Sequence, residues 1–270
     1  MTPLAQRVLT ASVLLIGILA VLFAAPMPVA VGVAASVTLL GAWEWSAFLG
    51  WKRTAARTTY TVFIALLLAI GEWLVPQVVP LPAVLWVALA WWGLALLWIV
   101  RYPTPVSVVL AALAGALVLV PFWLAMVSIL RIPNQGPALT LLALCVVSAA
   151  DIGAYFSGHR FGRLKLAPQV SPGKTWEGLI GGVLLAGLAA AAGAVMLGLP
   201  ARVMLPTGLG VAVLSVVGDL TESLFKRNVG AKDSGHLVPG HGGVLDRLDS
   251  ITAAMPLFAL ALSWLGLIAG

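Results

Sequence analysis

Long apolar runs follow one another along almost the whole chain, and they limit its possible folds more than any other feature. Each run is near the ~20 apolar residues that a helix needs to cross the core of a bilayer. Inside lipid a backbone must satisfy its own hydrogen bonds, which leaves only helices and closed barrels. The runs are continuous rather than alternating, so they predict helices. The predicted spans are residues 8–25, 28–50, 59–79, 81–100, 105–130, 136–157, 176–199, 202–225 and 251–269.

We therefore expect an all-α, polytopic integral membrane protein with about nine transmembrane helices. The composition agrees, because 61% of the residues are hydrophobic and only 9% are charged, whereas soluble domains carry about 25% charged residues. The net charge of +6 would suggest a nucleic-acid partner in a soluble protein. Here the cations lie between apolar runs, so no nucleic-acid partner is expected.

The basic residues sort to one side of the predicted membrane. If the N-terminus lies in the cytoplasm, the predicted spans place thirteen of the fifteen Lys and Arg residues inside and only Arg131 and Arg202 outside. Cytoplasmic loops of membrane proteins carry such an excess of Lys and Arg. The sequence thus predicts a multi-pass protein of the cell inner (cytoplasmic) membrane, with its N-terminus inside and its C-terminus outside.

The chain divides by function at about residue 135. Residues 1–135 are apolar spans with short connections, whereas residues 136–270 include two long polar connections, at about 158–175 and 226–250. The second part also contains seven of the nine carboxylates and all three histidines. Both polar connections fall on the predicted cytoplasmic side, so we expect residues 136–270 to carry a site that faces the cytoplasm.

The other two carboxylates, Glu44 and Glu72, lie within predicted spans of the first part. A carboxylate inside a membrane is costly and suggests a functional site. Glu44, between two tryptophans near the cytoplasmic end of its span, is expected to face the site or to pair with one of its cations. For Glu72 the alternatives are a protonated carboxyl, an interfacial position or an internal ion pair.

Residues 219–249 contain five of the nine carboxylates and two of the three histidines. Asp246 and Asp249 are three residues apart, a spacing that puts both on one face of a helix, and Asp219 closes the preceding span. Mg²⁺ is usually bound by one or two carboxylates together with substrate phosphates. We therefore predict a Mg²⁺ site formed by Asp219, Asp246 and Asp249; the alternative is ordinary charge at the edge of the membrane.

Basic residues accompany these acids. Cations in such a segment can neutralise the charge that develops on a phosphoryl centre or on a leaving polyphosphate. The alternative is again ordinary charge on the cytoplasmic side of the membrane. The candidates for phosphate binding are Lys226, Arg227, Lys232 and Arg247.

A second polar segment contains Gly173, Lys174 and Thr175. A P-loop would need glycine at position 168, which is Pro168, and a preceding strand, which the sequence does not predict, so the P-loop interpretation fails. The segment still leads into a helix whose N-terminus offers free N–H groups and the positive end of a dipole. It is therefore a candidate cradle for a nucleotide phosphate; the alternative is a helix cap with a cytoplasmic lysine.

These motifs resemble those of one family. The run from Ser223 to Asp249 is similar to the signature of phosphatidate cytidylyltransferases, also called CDP-diacylglycerol synthases. The segment from Asp151 through Gly182, with its Ser-Pro-Gly-Lys-Thr-Trp-Glu-Gly core, resembles the same family. The resemblance covers most of residues 150–270. Residues 1–135 match mainly in hydropathy and in the Trp-Glu-Trp around Glu44.

The resemblance implies a reaction in which CTP and phosphatidate give CDP-diacylglycerol and pyrophosphate. The phosphatidate phosphate would attack the α-phosphorus of CTP directly, assisted by Mg²⁺, so no protein nucleophile is required. CTP, phosphatidate and membrane lipid are the expected partners, and a homodimer is left open. The expected catalytic residues are Asp219, Lys226, Arg227, Lys232, Asp233, His241, Asp246, Arg247 and Asp249. The expected substrate-binding residues are Glu44, Asp151, Ser171, Lys174, Thr175 and Glu177.

Two other functions agree less well with the sequence. A CDP-alcohol phosphatidyltransferase also uses aspartates and metal on a cytidine liponucleotide, but its Asp-Gly…Ala-Arg…Gly…Asp…Asp series is not found in this sequence. A transporter for an anionic substrate would favour repeats and charges near the middle of the membrane. In this chain the charges collect at one face, and no repeat is evident.

Overall fold

The computed structural model describes residues 3–51, 53–75, 77–235 and 242–268, with side chains from residue 9 onwards. The described residues form nine α-helices, one 3-10 turn and one small β-hairpin. The helices are α1 Pro3–Phe23, α2 Met27–Trp45, α3 Thr54–Leu74, α4 Leu81–Val100, α5 Val108–Leu130, α6 Gly136–Phe161, α7 Trp176–Leu197, α8 Ala201–Asn228 and α9 Leu245–Trp264. The 3-10 turn is Ser46–Leu49, and the hairpin strands are β1 Lys165–Ala167 and β2 Ser171–Thr175.

The protein is an all-α, polytopic membrane protein, as the sequence predicts. Among the described residues, seven helices, α2 to α8, are long and apolar enough to cross a membrane. The described apolar part of α1, Leu9–Phe23, is shorter. Helix α9 is not one of the seven, and its first five positions include Asp246, Arg247 and Asp249. The count of nine transmembrane helices therefore stays a prediction.

Several helices extend beyond their predicted spans. Helix α3 begins at Thr54 instead of residue 59, and α8 continues to Asn228 instead of ending at 225. An apolar run in the sequence is only as long as the membrane core is thick. The hydrogen bonds of a helix also form outside the lipid, so the helix can continue through the polar residues that follow the run. The charged residues at the end of α8 therefore lie on a rigid helix instead of in a loop.

The β-hairpin corrects one local expectation, that no strand precedes Gly173-Lys174-Thr175. Strand β2 pairs antiparallel with β1, with Lys165 opposite Thr175 and Ala167 opposite Ser171. Strands this short are not distinguished by the periodicity of their side chains. The P-loop pattern is still not met, because Pro168 occupies the position that requires glycine.

Small residues let the helices of the second part approach closely. A Cβ at Gly153 of α6 would lie 2.5 Å from the backbone oxygen of Gly181 on α7. A Cβ at Gly218 of α8 would clash with the backbone oxygen of Asp249 on α9. The carboxylate-bearing turns of α8 and α9 are therefore in direct backbone contact.

The first part of the chain packs against these helices as well. Trp45 at the end of α2 is buried, and its ring centroid lies 4.9 Å from that of Phe225 on α8. The indole N–H of Trp45 donates to the backbone oxygen of Ala111 on α5 at 2.9 Å. The division at residue 135 remains a prediction about function, and side chains pack tightly across it.

Candidate active site

One cavity of about 690 Å³ brings together side chains from α6, β2, α7, α8 and α9. Nine of the site residues expected from the sequence line it. They are Asp151, Lys174, Thr175, Asp219, Lys226, Asp233, Asp246, Arg247 and Asp249. The two polar segments identified in the sequence therefore line a single cavity.

An ion pair joins the two segments across this cavity. The ammonium group of Lys174, on β2, lies 2.6 Å from Asp219 Oδ2, on α8. Thr175 follows directly and caps α7, because its Oγ1 accepts a hydrogen bond from the backbone N–H of Gly178 at 3.1 Å. The segment expected to hold nucleotide thus touches the segment expected to hold metal.

A second cation, Lys226, is held between two carboxylates. Its ammonium group lies 2.8 Å from Asp246 Oδ1 and 3.0 Å from Glu222 Oε1. Glu222 is only 2% exposed. It was not among the site residues expected from the sequence, although its spacing could have revealed it. It lies three residues after Asp219 and four before Lys226, which puts all three on one helical face.

Asp246 also fixes backbone on both sides of residues 236–241. It accepts hydrogen bonds from the N–H of Gly243 at 2.7 Å and from the N–H of Ser234 at 3.2 Å. Asp246 lies before the apolar part of α9. Burial raises the pKa of its carboxyl group, but hydrogen bonds from Lys226 and Gly243 outweigh burial and lower that pKa to about 2. Asp246 is therefore an anion at neutral pH.

Asp249 lies one turn further along α9 and lines the same cavity. Desolvation by the surrounding protein and the negative charge of Asp219 raise the pKa of its carboxyl group. The backbone N–H of Ser250 donates to Asp249 Oδ1 at 2.7 Å. Removing a proton from Asp249 is thus costly unless positive charge is added nearby.

The acids of the cavity fit a magnesium ion in chemistry, though not as a preformed cage. Among the described residues, no group of three or more His, Cys, Asp or Glu side chains is arranged to hold a metal. Mg²⁺ does not need such a cage, since it keeps several waters and binds through one or two carboxylates plus substrate phosphates. Asp219, Asp246 and Asp249 on the wall of one cavity supply such donors.

Five expected site residues are not among the described residues that line the cavity: Glu44, Ser171, Glu177, Arg227 and Lys232. Glu177 accepts hydrogen bonds from the backbone N–H of Leu164 at 3.2 and 3.3 Å, which ties the first turn of α7 to the chain just after the end of α6. Arg227 Nε donates to the backbone oxygen of Val170, beside β2, at 3.4 Å. Their roles toward substrate stay predictions. His241 lies outside the described residues.

Helix α6 contributes two cavity residues that sequence reasoning missed, Tyr155 and His159. Their rings stack with centroids 6.0 Å apart. Together with Asp151 they are spaced four residues apart, which places all three on one face of α6. That spacing is visible in the sequence and could have identified them.

Comparisons with known proteins match these motifs. Residues 5–265 match the model of a family described as the cytidylyltransferase family. The chain is 42% identical to a phosphatidate cytidylyltransferase of Pseudomonas aeruginosa over 271 residues, covering 97% of each chain. It is 41% identical to one from Haemophilus influenzae over 288 residues, covering 95% of this chain and 97% of the relative. A phosphatidate cytidylyltransferase of Synechocystis is 46% identical over 127 residues, covering 45% of this chain and 42% of the relative.

Proposed function

Because this chain belongs to the cytidylyltransferase family, we propose that it transfers the cytidylyl group of CTP to phosphatidate, giving CDP-diacylglycerol and pyrophosphate. Relatives named phosphatidate cytidylyltransferase that match almost the full length support this. The structural observation that carries the proposal is the cavity in which Lys174 meets Asp219. It places a cationic helix start next to a cluster of carboxylates, as a nucleoside triphosphate with its metal requires.

The reaction needs no covalent intermediate with the protein. A phosphate oxygen of phosphatidate attacks the α-phosphorus of CTP, and the bond from that phosphorus to the bridging oxygen breaks. Pyrophosphate leaves with the bonding electron pair. Phosphoryl chemistry of this kind depends mainly on positioning and on electrostatic stabilisation. The protein's task is to bring two anions together in line.

Residues of the cavity are suited to that task. Lys174 and the N-terminus of α7 would bind the phosphates of CTP, with Ser171 and Glu177 supporting the segment. Lys226 and Arg247, which line the same cavity, would offset the repulsion between CTP and phosphatidate. The same role is proposed for Arg227 and Lys232, and Asp151 and Asp233 would complete the polar wall.

Mg²⁺ would be held by Asp219 and Asp246, with Asp249 beside them. When bound, it would neutralise charge on the CTP phosphates. Lys174 and Lys226 now neutralise Asp219 and Asp246. We expect both lysines to turn toward phosphate when the substrates bind, which frees the aspartates as oxygen donors.

The site would face the cytoplasm from the inner membrane, since that orientation follows from the sorting of Lys and Arg. Cytosolic CTP would reach it from water, and phosphatidate from the surrounding lipid. His241 would position a phosphate or transfer a proton.

The direct test is turnover by the purified full-length protein in vesicles that contain phosphatidate. With labelled CTP and Mg²⁺, we expect equal amounts of pyrophosphate and a labelled lipid. Release of CMP from CDP-diacylglycerol and an alcohol would instead indicate a phosphatidyltransferase. Movement of an anion across the vesicle without chemical turnover would indicate a transporter.

A further inference from the structure

We propose that Glu44 is a positioning residue for the reaction: its carboxylate binds the side chain of Ser234 before residues 236–241 and the backbone at the start of α9 after them, and thereby sets the position of Asp246. Glu44 lies on α2 and is not among the described residues that line the cavity. It would act on the chemistry through Asp246 without touching the substrates. This inference rests on the proposed function for its kinetic consequences, but its structural claim stands independently.

The carboxylate of Glu44 has three described hydrogen-bond donors, all more than 180 residues away in sequence. It accepts hydrogen bonds from the N–H of Leu245 at 2.7 Å, from the N–H of Val244 at 3.1 Å and from the hydroxyl of Ser234 at 3.1 Å. Glu44 is only 1% exposed. One buried carboxylate thus joins the backbone at the start of α9 to the side chain of Ser234.

Two glycines lie so close to this carboxylate that a side chain at either position would collide with it. A Cβ at Gly243 would lie 2.5 Å from Glu44 Oε2, and one at Gly235 would clash with Oε1. Any other residue at either position would displace the carboxylate or the backbone. Gly235, Gly243 and Ser234 belong to the signature segment, and their small size is explained by Glu44.

Asp246 and Glu44 both bind Ser234. Ser234 donates its hydroxyl to Glu44 and its backbone N–H to Asp246. Leu245, the immediate neighbour of Asp246, donates its N–H to Glu44. A shift of the Glu44 carboxylate therefore moves the chain just before Asp246 and the Ser234 side chain beside it, and with them the Asp246 oxygen that holds Lys226.

The position of Glu44 is itself well fixed. Arg57 on α3 donates to the backbone oxygen of Trp43 at 2.8 Å and to the hydroxyl of Ser46 at 2.9 Å, which brings a positive charge beside Glu44. Trp45 packs against Phe225 on α8. The neighbours of Glu44 thus anchor the end of α2, so that its carboxylate can serve as a rigid reference point for α9.

The main test compares Glu44→Gln with wild type. Glutamine keeps the size but turns an N–H group toward donors, so we expect kcat to fall by about tenfold to a hundredfold, as for other groups that orient a ligand. The KM for CTP should stay nearly unchanged, because Glu44 does not line the described cavity. Hydrogen exchange of the amides of Val244 and Leu245 should become faster.

The matched control is Glu72→Gln. Glu72 is also a glutamate in an apolar helix, and it pairs with Arg131 beside a separate cavity. This variant should keep wild-type kcat and wild-type exchange at residues 244 and 245. An unchanged kcat in Glu44→Gln would overturn the proposal, and so would an equal loss in Glu72→Gln or a loss explained entirely by a lower unfolding temperature.

A second pair of variants tests the contact itself. Gly235→Ala should lower turnover because its methyl group meets Glu44 Oε1. In a Glu44→Asp background the shorter carboxylate makes room, so the same change should have a smaller effect. If Gly235→Ala lowers turnover by the same factor in both backgrounds, the contact between Gly235 and Glu44 is refuted. If wild type does not convert CTP, the proposed function fails, whereas the exchange measurement, which needs no substrate, still decides the role of Glu44.

Discussion

Two lysines in the cavity already hold the carboxylates that the reaction would need for its metal. Lys174 pairs with Asp219, and Lys226 pairs with both Asp246 and Glu222. Glu222 and Lys226 are largely buried, and breaking such a pair leaves an uncompensated charge that costs about 3–5 kcal/mol. Lys226 therefore has a structural role as well as its proposed role toward phosphate, and activity measurements on its variants must be accompanied by measurements of stability.

Lys174→Ala is expected to raise the KM for CTP by about tenfold to a hundredfold, which corresponds to the loss of a hydrogen bond to a charged group worth about 1.5–3 kcal/mol. The protein should stay folded, since this ion pair is partly exposed. Lys165→Ala, which removes an exposed lysine of the same hairpin, is the control. Unchanged kinetics for CTP would remove Lys174 from the nucleotide site.

Asp246→Asn is expected to lower kcat by about a hundredfold or more, because it removes charge at a proposed metal ligand while keeping the size of the side chain. Asp219→Asn should behave similarly. Asp249→Asn is expected to be milder, about tenfold, as for a group that supports a ligand. A chelator should abolish the turnover of the wild-type protein, and added Mg²⁺ should restore that turnover. A folded Asp246→Asn protein with normal turnover at limiting Mg²⁺ would show that the metal assignment is wrong.

Helices α8 and α9 set the distances among these residues because their backbones touch. Gly218 is the position of contact, adjacent to Asp219 on one helix and facing the backbone oxygen of Asp249 on the other. In membranes, helices associate through small residues that let backbones approach closely. A larger side chain at Gly218 would separate the carboxylates by pushing the helices apart.

Gly218→Ala is expected to destabilise the protein by about 1–3 kcal/mol, the usual cost of inserting a methyl group into a well-packed core. Turnover should fall as well, because Asp219 moves away from Asp249. Gly32→Ala on α2 is the matched control, since a Cβ there meets nothing within 4 Å. Thermal unfolding in detergent measures both variants. Equal unfolding temperatures for the two would contradict the close approach.

Sequence patterns predicted these elements where membrane thickness controls them and failed where distant contacts control them. Hydropathy predicts the helices α2 to α8, and helical spacing predicts that Asp246 and Asp249 lie on the same face of their helix. The β1–β2 hairpin was missed because strands of three and five residues are too short to show a clear periodicity. The contacts of Glu44 could not be predicted, because its donors Ser234, Val244 and Leu245 come close only in the folded chain.

At the scale of the whole molecule, seven helices of the described residues are long and apolar enough to span a membrane, and the side of the site on which each terminus lies depends on whether α1 and α9 also cross. Six helices precede the 162–175 connection and three follow it. If α1 crosses the membrane, the N-terminus lies on the same side as that connection. If α9 also crosses, the C-terminus lies on the opposite side. The side on which the N-terminus lies relative to the connection therefore tests whether α1 crosses the membrane. The side on which the C-terminus lies tests the same for α9.

Reporter fusions at the N-terminus, in the 162–175 connection and at the C-terminus can separate these cases. We expect the first two reporters in the cytoplasm, because thirteen of the fifteen basic residues then lie inside as membrane proteins require, and the third outside. A reporter in the connection that is outside while the N-terminus is inside would show that α1 does not cross. If both the C-terminus and the connection are cytoplasmic, α9 does not cross the membrane. A connection found outside in the full-length protein would separate the cavity from cytosolic CTP and refute the proposed orientation of the site.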